Sequence, residues 1–152
     1  MTDVDEVFLW LQRHAWWGLL AIAAGGVLRG LIDLASGVTY QAEDLTGKTI
    51  AQIAAESGAG SRLSDFAVRT DGLYVIAMGA LAGAILLFGF RRDHLWAWWA
   101  AWTFPVVAIA TSLLDFGFGV AGPGTSSAIV GGLGAAILLV SAPRFFRQPG
   151  RR

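Results

Sequence analysis

Apolar residues fill four long stretches of this chain, at about 15–34, 73–90, 95–114 and 126–142. Each stretch is close to the ~20 residues that a helix needs to cross a ~30 Å hydrocarbon layer. Within positions 80–87 the apolar side chains follow one another without polar ones between them, which argues against the alternating strands of a membrane barrel. The pattern predicts an all-α fold, in which residues 1–152 form a single integral membrane domain built as a four-helix transmembrane bundle.

The composition excludes several other classes of protein. Hydrophobic residues make up 55% of the chain and charged residues 14%, with a formal net charge of zero and no cysteine. The chain is too apolar to be disordered and has too few charges for a nucleic-acid partner. The lack of cysteine excludes disulfides and thiolate zinc sites. No known catalytic motif is present, so we expect a non-enzymatic protein with no catalytic residues, metal or cofactor. His14 and His94 are expected to be interfacial residues rather than haem ligands.

The basic residues predict an orientation, because cytoplasmic loops are enriched in Lys and Arg. With the N-terminus inside, the three outside bases are Lys48, Arg62 and Arg69, and Arg29 lies within the first span. The seven inside bases are Arg13, Arg91, Arg92, Arg144, Arg147, Arg151 and Arg152. This asymmetry predicts that both termini are cytoplasmic.

The first outer loop, residues 35–70, is too long for a simple turn. Thr49 and Gln52 have the spacing of a capping box, which predicts a short amphipathic helix lying over the outer mouth of the bundle. Asp65 and Arg69 have i, i+4 spacing on a helix that is expected to run on into the second span. The short link 91–94 predicts that the second and third spans pack as an antiparallel hairpin.

Three further local features carry predictions. Val4, Val7, Phe8 and Leu11 have helical spacing, which predicts a short interfacial helix before the first span. Pro105 predicts a kink near the middle of the third span. Pro123-Gly124 indicates a turn before the fourth span, whose helix would be capped at 125–127.

The chain also resembles itself when it is displaced along its own sequence so that Trp16 aligns with Trp98, which we call the long shift. Six positions in the window 16–38 are then identical: Trp16, Trp17, Leu31, Asp33, Gly37 and Val38 match Trp98, Trp99, Leu113, Asp115, Gly119 and Val120. An internal repeat would make the protein two helical hairpins in the same orientation. The alternative is that Trp and Asp at span ends are common solutions for any membrane helix.

Charged residues inside a membrane span are expensive and indicate a functional site by default. They cluster toward the predicted outer end of the spans and, with one tyrosine at similar depth, form the candidate site: Arg29, Asp33, Asp71, Tyr74 and Asp115. One interpretation is an outward-facing polar pocket that holds a ligand head group or passes protons. The other is a structural ion pair, in which Asp33 or Asp115 neutralises Arg29 and the remaining acids reach water.

A layout of this kind resembles a known group of proteins. Three segments are similar to segments of small, uncharacterised four-span bacterial membrane proteins with a DoxX-like or EXPERA-like layout. They are Asp71-Gly72-Leu73-Tyr74, the stretch Phe90 to Trp99 with Pro105 after it, and the Leu45-Thr46-Gly47 loop. The resemblance implies a multi-pass protein of the bacterial plasma (inner) membrane. EXPERA-type proteins bind sterols and similar amphiphiles through acidic residues in their spans, which makes Asp33 and Asp115 the nearest candidates here.

Three functions are consistent with these features. The first is a non-enzymatic membrane protein that binds a membrane lipid, or another lipid-like or small amphiphilic ligand, at the outward-facing polar pocket. The second is a proton-coupled small transporter or channel. The third is an accessory subunit of a larger membrane complex, or a homo-oligomer, whose small-residue motifs contact a partner: Gly26-xxx-Gly30, Gly79-xxx-Gly83 and Ser127-xxx-Gly131.

Overall fold

The computed structural model describes residues 3–37 and 46–146, and this part of the chain contains helices and no strand. Within these residues we number six α-helices: α1 (Asp3–Ser36), α2 (Ile50–Glu56), α3 (Gly58–Phe88), α4 (Leu95–Ala101), α5 (Thr103–Gly117) and α6 (Ala121–Phe146). A 3-10 helix, Phe90–Arg92, joins α3 to α4. Four stretches are long and apolar enough to cross a membrane: α1, α3 with the 3-10 helix, α4 with α5, and α6.

The molecule has two ends, the α2 end and the Arg144 end. The α2 end contains α2, the last turns of α1 and α5 and the first turns of α3 and α6. The Arg144 end contains the 3-10 helix and the last turn of α6, where Arg144 donates hydrogen bonds to the carbonyl oxygens of Gln12, Arg13 and Arg91.

The helices are arranged as two hairpins. Hairpin one consists of α1 and α3, and hairpin two of α4, α5 and α6, while α1 and α6 pack together between them. The prediction that the second and third spans pack on each other is wrong over most of their length, since α3 meets hairpin two mainly at α4, next to the turn. Glycines explain the preference of α3 for α1, because Gly72 and Gly30 let these two backbones approach closely.

Equivalent positions form the helix contacts of both hairpins. A Cβ atom on Gly79 of α3 would lie 2.9 Å from the carbonyl oxygen of Ala23, and one on Gly131 of α6 would lie 3.2 Å from that of Pro105. The long shift relates Ala23 to Pro105, whereas a shorter displacement, called the short shift, relates Gly79 to Gly131. The two shifts differ because hairpin one has the longer connection, which contains α2.

The buried hydrophobic core lies in the half of the molecule toward the Arg144 end. It includes Ala15 and Leu19 of α1, Leu86 of α3 and Leu138 of α6. Trp98 of α4 is also buried there, and its indole N–H donates to the carbonyl oxygen of Leu138 over 3.1 Å. Each long helix presents large apolar side chains on its exposed surface, including Leu28, Leu81, Leu113 and Leu133.

Several local predictions are confirmed. Thr49 and Gln52 form the reciprocal capping box at the start of α2. The third span is interrupted at Trp102, just before Pro105, because proline cannot donate the backbone hydrogen bond of the preceding turn. The helix that leads into the second span begins at Gly58 and continues to Phe88.

Two other local predictions are wrong. No separate interfacial helix precedes the first span, since α1 runs unbroken from Asp3 to Ser36. The last helix begins at Ala121 rather than after Gly124, and Pro123 falls in its first turn, where a missing N–H costs no helical hydrogen bond. The hydroxyl of Thr125 therefore donates back to the carbonyl oxygen of Ala121, one turn earlier, instead of capping the helix.

Candidate functional site

Arg29 and Asp33 form the only ion pair within the predicted candidate site, as far as the described residues go. They lie one turn apart on α1, and the guanidinium Nε is 3.5 Å from the Asp33 carboxylate. The Asp33 side chain is 14% exposed, whereas that of Arg29 is 44% exposed. The pair therefore has a covered acidic partner and a basic partner that reaches the surface of the helix pair.

Asp33 is covered because α3 passes close to α1 at this point. A Cβ atom on Gly72 would lie 3.3 Å from the Cβ of Asp33 and 2.7 Å from the carbonyl oxygen of Gly30. Only glycine leaves room for this crossing. The glycine of the Asp71-Gly72-Leu73-Tyr74 segment is thus the contact that holds the carboxylate of Asp33 at the helix interface.

Asp71 and Tyr74 flank this crossing on α3, but their side chains point outward. Both are exposed, and Tyr74 is 68% accessible. Neither side chain forms a hydrogen bond or an ion pair with any residue in the described part of the chain. They lie at the same depth along the helices as Asp33 but do not take part in its ion pair with Arg29.

Asp115 occupies the corresponding place in hairpin two. A Cβ atom on Gly124 of α6 would lie 3.2 Å from the Cβ of Asp115. This contact repeats the one in hairpin one, because the short shift relates Gly72 to Gly124 and the long shift relates Asp33 to Asp115. The residue that corresponds to Arg29 is Thr111. Asp115 is partly buried, and within residues 3–37 and 46–146 its carboxylate has no hydrogen-bond or ion-pair partner.

Polar groups also fix the crossing in hairpin two. Ser112, which corresponds to Gly30, is buried, and its hydroxyl donates to the carbonyl oxygen of Gly124 over 2.7 Å. In hairpin one the Gly30 position has no side chain, and the carbonyl oxygen of Gly72 fills that space. Sequence reasoning missed the role of Ser112, because a buried serine in an apolar run gives no sign of its acceptor.

A second arginine closes the α2 end of hairpin one. Arg69 pairs with Asp65 at 3.0 Å, as its i, i+4 spacing predicted. It also donates to the carbonyl oxygens of Leu34, at 2.6 Å, and Ala35, at 3.4 Å. These are among the last carbonyls of α1, which have no partner within the helix, so Arg69 caps α1 from α3. Spacing along one helix could not reveal this contact between two helices.

A surface concavity of about 510 Å³ lies next to this cap, between α2 and the start of α3. Ile50 of α2 and Phe66 of α3 contribute its apolar part. Its other lining residues are Ser36, Ser61, Arg62, Asp65 and Arg69. The concavity is therefore near the α2 end but does not include the five residues of the candidate site.

The two histidines have local partners at the Arg144 end. The Nδ1 atom of His14 is 2.8 Å from the carbonyl oxygen of Trp10, and its ring stacks on that indole. His94 stacks on Trp96. No group of three potential metal ligands occurs among residues 3–37 and 46–146.

The comparisons with known proteins add no family assignment: no family model, curated protein or solved structure matches this chain. The DoxX-like or EXPERA-like resemblance therefore stays a prediction.

Proposed function

We propose that this protein is a multi-pass membrane protein that binds a lipid-like or small amphiphilic ligand beside Arg29 and Asp33. The support for a membrane location is the outward-facing apolar surface. Within the four candidate spans, only 11–28% of the residues in the most apolar window are buried inside the protein. Apolar surface on this scale would aggregate in water and is stable against lipid tails.

The proposed location is the bacterial plasma (inner) membrane, with both termini and the Arg144 end in the cytoplasm. This orientation rests on the sequence prediction of seven basic residues inside against three outside, as the positive-inside tendency requires. The α2 end then faces outward. In this arrangement α2 is the short amphipathic helix of the outer loop, with Ile50 and Ile53 its two partly covered residues.

The observation that carries the ligand proposal is the half-exposed Arg29. Its only ion-pair partner among the described residues is Asp33, and its guanidinium forms no hydrogen bond with any of those residues. One turn earlier on α1, Gly25 and Gly26 have open space in place of a Cβ contact. An amphiphile would place its polar head against the guanidinium and its apolar body along the surface that these glycines leave open.

The test is to identify the amphiphiles that stay bound when the protein is purified in mild detergent. The double variant R29Q/D33N removes both charges and keeps the local net charge, and R62Q, an exposed arginine near the α2 end, is the control. We expect mass spectrometry to find at least one species that the wild type and R62Q retain and that the double variant loses. Equal profiles for all three proteins would reject the proposal.

A second candidate function, proton-coupled transport, is favoured by Asp115. This partly buried carboxylate has no hydrogen-bond or ion-pair partner in the described part of the chain, and an ionisable residue within a membrane span is a default candidate for a proton pathway. In proteoliposomes, proton flux that falls in D115N but not in the control D71N would support transport. Flux equal to that of protein-free vesicles would reject it.

The remaining candidate is assembly with a homo-oligomer partner or a larger membrane complex. Gly132 of α6, like Gly25 and Gly26 of α1, has open space where a Cβ would lie. Such positions allow close approach of another helix. In mild detergent, a monomeric mass with no co-purified protein would reject this candidate.

A further inference from the structure

Two neighbouring arginines close the second span at the Arg144 end. Arg91 and Arg92 belong to the 3-10 helix, and together with Leu87 and Phe88 they line a surface concavity of about 550 Å³. Both arginine side chains are exposed, and neither has an ion-pair partner in residues 3–37 and 46–146. Two uncompensated cations therefore border an apolar surface at the end of a span.

The position of Arg91 is fixed by two contacts and by the turn in which it lies. Its guanidinium carbon lies 5.2 Å from the centre of the Trp16 ring, in a cation–π arrangement. Its carbonyl oxygen accepts a hydrogen bond from Arg144 over 3.1 Å. The turn itself ends at Asp93, which has a left-handed backbone (φ 61°) and whose N–H donates to the carbonyl oxygen of Phe90.

The nearby acid does not neutralise this pair. Asp93 forms its ion pair with Arg144 instead. Arg144 thus occupies the one carboxylate of the turn, and the charges of Arg91 and Arg92 remain available to an external anion.

The apolar part of the concavity lies on the membrane side of the arginines. Leu87 and Phe88 precede them on α3 and are 38% and 62% exposed. A ligand that satisfies both parts carries negative charge at one end and acyl chains at the other. An anionic phospholipid at the cytoplasmic surface has this chemistry.

We propose that Arg91 and Arg92, with Leu87 and Phe88, form a binding site for an anionic phospholipid. The phosphate lies against the two guanidinium groups, and the acyl chains extend along Leu87 and Phe88. The site is at the opposite end of the spans from Arg29 and Asp33, so it does not depend on the amphiphile site proposed above.

The experiment measures lipid adducts of the purified protein by native mass spectrometry, with phosphatidylglycerol and phosphatidylcholine of identical acyl chains in equal amounts. Each basic residue near an anionic surface contributes about fivefold in affinity. We expect the wild type to prefer phosphatidylglycerol for its first bound lipid by at least about fivefold, and R91Q/R92Q to lose that preference. The control R13Q removes one exposed charge at the same end and should keep the preference within about twofold.

Three results would overturn the proposal. A preference unchanged in R91Q/R92Q would show that another surface binds the lipid, and an equal loss in R13Q would show a diffuse charge effect. Displacement of phosphatidylglycerol by inorganic phosphate alone would show a site for a free anion. If R91Q/R92Q does not fold, as judged by its helical circular dichroism, the single variant R92Q is used, and it should show a loss of about fivefold.

Discussion

In hairpin one the crossing of α1 and α3 places Gly72 against Asp33, and in hairpin two the crossing of α5 and α6 places Gly124 against Asp115. The two crossings are alike in backbone geometry, yet their polar groups differ. Asp33 has Arg29 one turn away, whereas the same position beside Asp115 is Thr111. Backbone contact and charge therefore vary independently: glycine sets how close the helices come, and the neighbouring side chains set which charge is paired.

The first and largest expected effect tests whether the two crossings are energetically equivalent. Gly79→Leu and Gly131→Leu each force a side chain into backbone of the partner helix. Each should therefore lower the free energy of unfolding by about 2–3 kcal/mol. The measurement is an unfolding titration in detergent. A large cost in one hairpin and none in the other would contradict the equivalence.

Two other glycines, one in each hairpin, provide matched controls for this experiment. Gly26 and Gly132 have nothing within 4 Å of the place where a Cβ would lie. Gly26→Leu and Gly132→Leu should therefore change the free energy of unfolding by less than about 0.5 kcal/mol.

The next effect concerns the contact that joins the hairpins. Arg144 donates to carbonyl oxygens of α1 and of the 3-10 helix and pairs with Asp93. Because hydrogen bonds from a charged group are stronger than neutral ones, Arg144→Gln should lower the free energy of unfolding by about 1.5 kcal/mol. Arg13→Gln, at the same end, should cost little. Equal melting temperatures for wild type and Arg144→Gln would show that apolar packing alone holds the hairpins together.

A smaller effect separates the two carboxylates. Asp33→Asn leaves Arg29 without its ion-pair partner. Solvent screens the attraction between these two charges, because the Arg29 side chain is 44% exposed. The expected cost is about 1 kcal/mol of unfolding free energy. Asp115→Asn removes no described partner and should leave the unfolding free energy unchanged. Equal costs for the two variants, in the same unfolding titration, would contradict the difference between the hairpins.

The smallest effect tests the serine that replaces Gly30 in hairpin two. Ser112→Ala removes one buried hydrogen bond to the Gly124 carbonyl. It should cost about 0.6 kcal/mol, a typical value for a polar contact between membrane helices. Ser126→Ala, which removes an exposed hydroxyl that bonds within its own helix, is the control in the same titration. A cost as large as that of Gly131→Leu would mean that the hydroxyl, and not glycine, sets this crossing.

The repeat illustrates how far sequence reasoning could go. The long shift was visible because Trp16-Trp17 and Asp33 recur, but it covered only the first helix of each hairpin. The second helices follow the short shift, because the connection of hairpin one is longer. With the short shift, seven positions in 72–90 are identical to their counterparts in 124–142. The helix contacts at Gly79 and Gly131 showed how α3 aligns with α6, which one fixed shift of the whole sequence could not show.

The candidate site shows a similar division. The sequence correctly placed Arg29 beside Asp33, because both lie on one helix with i, i+4 spacing. Depth could not decide whether Asp115 lies in the same helix pair, since residues at one level can belong to different hairpins. The bonds from Arg69 to Leu34 and Ala35 went unpredicted for the same reason: they join two helices that are far apart in the chain.

Hydrophobic runs and local backbone chemistry were enough to specify an all-helical chain, the number of candidate spans, the capping box of α2 and the break before Pro105. Each of these features depends on residues that are close together in the chain. The packing of the helices decided which of them pair and which arginines cap or join helices. Those choices depend on how closely two backbones can approach, and this is set by glycines whose partners lie far away in the chain.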